Sequence, residues 1–168
     1  MENQTSNYKK LSINYGIIFG VYSSALLWLS YKFNFENSLL MSLISVIVAV
    51  LVVFFPIQQF KTYNDNILKL SEALKIGLIV GLISGLIYGI YTYLHYKSID
   101  VEFIPLQLEE SKKELELNSS KMTKEELEQG IAMIETLLSP FMLATFALFT
   151  LLFKSFIISL VIGLIKKN

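Results

Sequence analysis

The chain has no cysteine, no arginine and a single histidine, His95. Without thiols, disulfides, thiol catalysis and thiolate-held iron–sulfur clusters are excluded. A lone histidine with no HExxH or comparable cluster supplies one ligand where a metal site needs several. Lying beside tyrosines at the end of an apolar run, it reads as a structural histidine at a membrane interface. There is no Walker A loop and no GxGxxG; GLIVGLISG is glycine-rich, but no strand precedes it and its spacing is wrong for a nucleotide-binding turn. All fourteen bases are lysine, matched by fourteen acids, and the zero net charge gives no reason to expect nucleic-acid binding. The sequence therefore predicts no catalytic, cofactor-binding or metal-ligating residue, no cofactor, and a protein that is not an enzyme.

Charge of either sign is scarce, at 17% of residues, while 54% are hydrophobic and the mean hydropathy is +0.55. A soluble domain rarely looks so. Four apolar runs, 11–31, 38–60, 73–96 and 140–165, each approach or exceed the roughly twenty residues that cross a bilayer core as helix. The first could be mistaken for a signal peptide after Lys9 and Lys10, but its run is too long and no small-x-small cleavage site precedes Lys32. The predicted fold is an all-α membrane protein: a four-transmembrane-helix bundle forming one membrane domain over 1–168, with an extracytoplasmic amphipathic helical segment at 97–139 between the third and fourth spans.

Orientation follows from the lysines. The side with both termini and the loop between spans two and three holds Lys9, Lys10, Lys61, Lys69, Lys75, Lys166 and Lys167 against Glu2, Asp65 and Glu72. The other side has six lysines and eleven acids, among them Glu109, Glu110, Glu125, Glu126 and Glu128. Lysines near membrane ends favour the cytoplasm, so both termini are expected there. Trp28, Tyr31, Tyr88, Tyr91, Tyr93 and Tyr96 gather toward the outer ends of spans one and three, where amphipathic rings favour the interface. In the acidic outer segment, Thr123 and Glu126 fit a capping box, with Met122 and Leu127 placed as a hydrophobic staple. Leu127, Ile131, Ile134 and Leu138 then recur at helical spacing, which predicts an amphipathic helix running toward Pro140. A weaker helix is predicted over Pro105 to Leu117, with Pro105 near its start.

Small residues mark the faces on which the spans are expected to pack. Gly77, Gly81, Gly85 and Gly89 repeat at every fourth position, a glycine-zipper pattern that advances about 40° per step around a helix. Lipid is as apolar as leucine, so close backbone approach and dense contact must drive association. The first span has its own version in Ser12, Gly16, Gly20 and Ser24, and the fourth ends with Ser155, Ser159 and Gly163. Aligning Gly16 and Gly20 with Gly77 and Gly81 also matches Ser23 with Ser84, a faint sign that the two hairpins are parallel repeats of the kind some transporters use.

The stretch EALKIGLIVGLISGLIYGIY, the acidic SKMTKEELEQG before a helix and the lysine-tipped C-terminus resemble the domain of unknown function 4199 family, small four-span membrane proteins found mainly in Bacteroidota. The resemblance covers nearly the whole chain. It implies the four-span fold and a bacterial inner-membrane location, and no catalytic residue.

One residue is not absorbed by packing. Lys154 lies fourteen positions after Pro140 and twelve before Lys166. At 1.5 Å per residue it sits about 18 Å from the terminal lysines, near the middle of a core about 30 Å thick. No acid lies within the spans to pair with it there. Two functional readings follow: a non-enzymatic structural or accessory membrane subunit packed through glycine ridges, or a small transporter or channel for an anionic or amphiphilic solute with Lys154 in an intramembrane cavity. The expected partners are the lipid bilayer and either further copies of the chain or another membrane protein.

Overall fold

The computed structural model describes residues 2–33, 39–118 and 123–168, with their side chains apart from those of 2–7 and 118. Ser38, where the second span was expected to begin, and Met122, the outer half of the expected staple, lie outside the described residues. Every regular element among the described residues is helical: α1 (Glu2–Phe33), α2 (Leu39–Tyr63), α3 (Leu70–Leu94) continuing into a π-helical turn (His95–Ile99), α4 (Phe103–Asn118), α5 (Lys124–Leu137) and α6 (Pro140–Lys166). Among the described residues, four stretches are long and apolar enough to cross a membrane: Tyr8–Phe33, Leu39–Tyr63, Leu70–Ile99 and Pro140–Lys166.

The helices outrun the apolar patterns that announced them. Hydropathy marks where lipid ends, whereas a helix stops only when its hydrogen-bond ladder is interrupted. After α2 the interruption is explicit. Asp65 and Asn66 take left-handed φ values of 52° and 59°, and the Asn66 amide donates to the Lys61 carbonyl at 3.0 Å. Asn64 Nδ2 donates to the Ile67 carbonyl at 2.8 Å, and the Lys69 amide donates to Glu72 Oε2 at 2.8 Å as α3 begins. Within α2, buried Pro56 removes one ladder bond, a loss that membrane helices tolerate when neighbours surround it.

The chain divides into two compact units, one of residues Met1–Tyr88 with Ala147–Asn168 and the other of Gly89–Phe146; α3 and α6 contribute to both. In the first unit four helices close in a cycle. α1 packs antiparallel on α2, with the Tyr8 and Phe60 rings edge-on at 5.9 Å and Gln59 Nε2 donating to the Tyr15 hydroxyl at 2.9 Å. α1 also meets α3, α3 meets α6, and α6 returns to α2. There Lys61 Nζ donates to the Lys166 carbonyl at 2.8 Å, and Lys166 Nζ bonds Gln58 Oε1 and lies 4.7 Å from the centre of the Phe54 ring. The Asn168 amide donates to the Leu68 carbonyl, which places the C-terminus beside the α2–α3 turn. Phe19, Val53, Ile57, Ile76 and Val80 fill the centre. Ile17, Ile18, Leu43, Ile47, Leu82, Leu86, Phe149 and Phe153 face outward, an apolar exterior that water would not tolerate and lipid covers.

The second unit contains the helical pair α4 and α5, joined by an ion pair from Lys112 Nζ to Glu135 Oε1 at 2.7 Å and by Gly130 seated against the Leu115 side chain. α4 spans a little more than the expected 105–117, and Leu127, Ile131, Ile134 and Leu138 of the second helix are half-buried. Thr123 caps α5 as its sequence predicts: its Oγ1 accepts from the Glu126 amide at 3.3 Å, and Glu126 Oε2 accepts from the Thr123 amide at 2.7 Å and hydroxyl at 3.0 Å. These donors hold the Glu126 carboxyl below the usual carboxylate range. A depressed carboxyl stabilises the fold above its unfolded pKa, and that contribution fades as pH falls through the lower, folded value. Protection of the Thr123 amide, its exchange measured against the intrinsic rate at each pH, is therefore expected to fall on acidification in the wild type. In Glu126→Ala, which leaves that amide without its acceptor, protection should be low and independent of pH across that window; an unchanged pH profile would contradict the cap's role.

Candidate functional site

The small residues of the spans meet other helices, and the distances show how closely. A Cβ built on Gly16 would lie 2.8 Å from Ile83 Cβ, and one on Gly20 2.8 Å from Ile87 Cβ, so α1 runs parallel to α3 with its glycines against two isoleucines. On another face of α3, a Cβ at Gly77 would overlap the Ser159 side chain, one at Gly81 would lie 2.9 Å from Leu152 Cα, and one at Gly85 2.7 Å from the Leu148 carbonyl oxygen. Gly163 faces Leu70 and Ala73 in the same antiparallel seam. Glycine lets these backbones approach where any side chain would hold them apart. Gly89 is also buried.

The serines behave individually. Ser24 Oγ donates to the Gly20 carbonyl at 2.8 Å and Ser12 Oγ to the Tyr8 carbonyl at 2.7 Å, so each satisfies itself on its own helix. Ser159 Oγ donates to the Phe156 carbonyl at 2.9 Å. Ser155 is fully buried in the α3–α6 seam, and its hydroxyl has no hydrogen-bond partner among the described residues. The matched glycines of α1 and α3 do not occupy equivalent places. Those of α1 face α3, whereas those of α3 face α6, so the spacing shared by the two hairpins does not correspond to a shared packing partner.

Lys154 stands at the border of this seam. On α6 the residues Ala147, Leu151, Ser155, Ser159 and Gly163 form the buried stripe, and Phe149, Thr150, Phe153, Ile157 and Val161 are exposed. Lys154 lies between the two and is half-buried. Its neighbours Leu152 and Ser155 abut Gly81, the middle of the glycine ridge, which puts the lysine level with the centre of α3. Its side chain makes no hydrogen bond or ion pair with any described residue, and the same is true of the Thr150 hydroxyl one turn earlier. Thr145, by contrast, donates to the Phe141 carbonyl at 2.8 Å.

His95 is buried at the start of the π turn, in the second unit. Its Nδ1 lies 3.3 Å from the Tyr91 hydroxyl, its ring stands edge-on to Tyr96 with centroids 5.2 Å apart, and Tyr96 stacks on Phe103 at 4.7 Å. The π turn had no signal in the sequence: the apolar run ends within it, at Tyr96, and that end marks a boundary without marking a change in the hydrogen-bond ladder. Among the described residues no group of three His, Cys, Asp or Glu side chains could hold a metal ion.

Four apolar spans closing on one another through glycine and serine seams define a polytopic helical membrane protein. The chain belongs to the family described as "Protein of unknown function (DUF4199)", whose model matches residues 14–168. No curated protein and no solved structure matches it.

Proposed function

We propose that the protein is a non-enzymatic structural or accessory subunit of the bacterial inner membrane, with both termini cytoplasmic and the α4–α5 pair outside. The observation that supports this reading is the use to which the spans put their unusual residues: glycine and serine are engaged in contact between helices of the same chain. The lysines gathered near the chain ends and the α2–α3 turn support the orientation. In this cysteine-free chain, Lys112→Cys and Glu128→Cys are expected to react with an impermeant thiol reagent in intact cells, and Asp65→Cys and Asn168→Cys only after permeabilisation. The opposite labelling pattern would invert the topology.

The functional test is assembly. Extracted gently from its own membranes, the protein is expected to migrate with a second membrane protein in fixed ratio. A second reading, passage of an anionic or amphiphilic solute, is favoured by the unengaged Lys154 alone. It is selected instead if the purified protein migrates by itself and renders vesicles permeable to small organic anions in a manner that Lys154→Met abolishes.

A further inference from the structure

Resting on the accessory-subunit reading, we infer that Lys154 and Thr150 form a docking point for a transmembrane helix of a different protein that carries a glutamate or aspartate near the middle of its span. Three observations lead there. Lys154 is level with the centre of the bundle, too deep for its stem, about 6 Å long, to bring the ammonium fully to either surface. It lies on the border of the exposed face of α6, open to a neighbour from outside. The side chains of Lys154 and Thr150 are engaged by no described residue, whereas Thr145 on the same helix bonds the Phe141 carbonyl.

Residues four apart lie one above the other on a helix face, and side chains lean toward the N-terminal end. The lysine stem is thus directed over the turn that carries Thr150. A single carboxylate approaching that face can accept a hydrogen bond from the ammonium with one oxygen and from the threonine hydroxyl with the other. Charged residues at this depth characteristically pair with one another. Further copies of this chain cannot supply the carboxylate. Its deepest membrane acid is Glu72, the third residue of α3, at the end of its span. The complementary charge must come from another protein.

The test uses the full-length protein labelled through Asn168→Cys and reconstituted in phosphatidylcholine vesicles with synthetic leucine-alanine transmembrane peptides. The peptides bear glutamate, glutamine or leucine at their centre, and association is read by energy transfer. The glutamate peptide is expected to associate about tenfold more tightly than the other two. Lys154→Met should remove the difference with the bundle still folded by helix content and melting. Lys154→Arg should keep it and Thr150→Val should weaken it. Equal association of the three peptides, or a glutamate preference that survives Lys154→Met, overturns the inference. So does a preference that vanishes when phosphatidylglycerol is added, which would make the lysine a lipid-headgroup site, or self-association of the protein that depends on Lys154. If the native-membrane assembly persists in Lys154→Met and the peptides show no preference, the inference falls and the accessory-subunit reading stands. If no native assembly exists, both fall.

Discussion

The double substitution Gly81→Ile with Gly85→Ile is expected to separate α3 from α6 and to lower the stability of the bundle severely. The first new Cβ would lie 2.9 Å from Leu152 Cα and the second 2.7 Å from the Leu148 carbonyl oxygen. Both obstacles are backbone, which cannot rotate away as the tip of a side chain can. The helices must therefore move apart, and in lipid no hydrophobic gain compensates for the looser packing between them. Overpacking costs about 1–3 kcal/mol per site, so the pair is expected to cost roughly 2–6 kcal/mol, visible as a lower unfolding midpoint in detergent and reduced accumulation in membranes. Leu82→Ile with Leu86→Ile is the matched control. Those residues are 46% and 43% exposed, and their replacement is expected to change stability by no more than about 0.5 kcal/mol. Equal behaviour of the two pairs, or a larger loss in the leucine pair, would sink the close-approach role. Gly130→Ala marks the other extreme. Its Cβ would meet only the Leu115 Cδ2 tip at 2.9 Å, which can shift, so removing a mid-helix glycine from α5 is expected to stabilise by about 0.5–1 kcal/mol.

The contrast among these glycines shows which information a sequence carries. Four spans were legible because twenty apolar residues in a row admit few other structures, and α5 was legible because the Thr123–Glu126 pair is a local device whose partners lie three residues apart. A glycine ridge announces that a helix comes close without saying which one. Gly16 and Gly20 against Ile83 and Ile87, and Gly77 and Gly81 against Ser159 and Leu152, are choices made by the packing of the whole bundle. The N-terminal extension of α1 through Glu2–Lys10 was not legible from hydropathy, because the backbone ladder continues past the lipid boundary. Nor was the π turn at His95–Ile99, since the end of the apolar run at Tyr96 does not reveal how the hydrogen-bond ladder is wound there. For Lys154, counting residues along one helix gave its depth. Its angular place beside Leu151 and Ser155 depends on where α3 settles.

That angular place gives Lys154→Met a forecast opposite in sign to the glycine result. In the purified protein, alone in vesicles or detergent, the substitution is expected to stabilise. A lysine at the bilayer centre is unfavourable by roughly 2.5–3.5 kcal/mol on insertion scales. Half-burial at the edge of the helix contact lets the stem extend along the surface and recover part of that, so a gain of about 1–3 kcal/mol is expected in reversible unfolding. Methionine nearly matches the volume of the stem and introduces no cavity, so the change isolates the charge. A second measurement separates incidental from functional charge. In native membranes the same substitution is expected to loosen the assembly that the wild type forms, giving a protein that is more stable by itself and less well retained by its partner. Stabilisation with full retention would make Lys154 incidental. Destabilisation of the purified protein would show that the ammonium is held within the bundle after all, since removing a charge that nothing engages cannot weaken the fold.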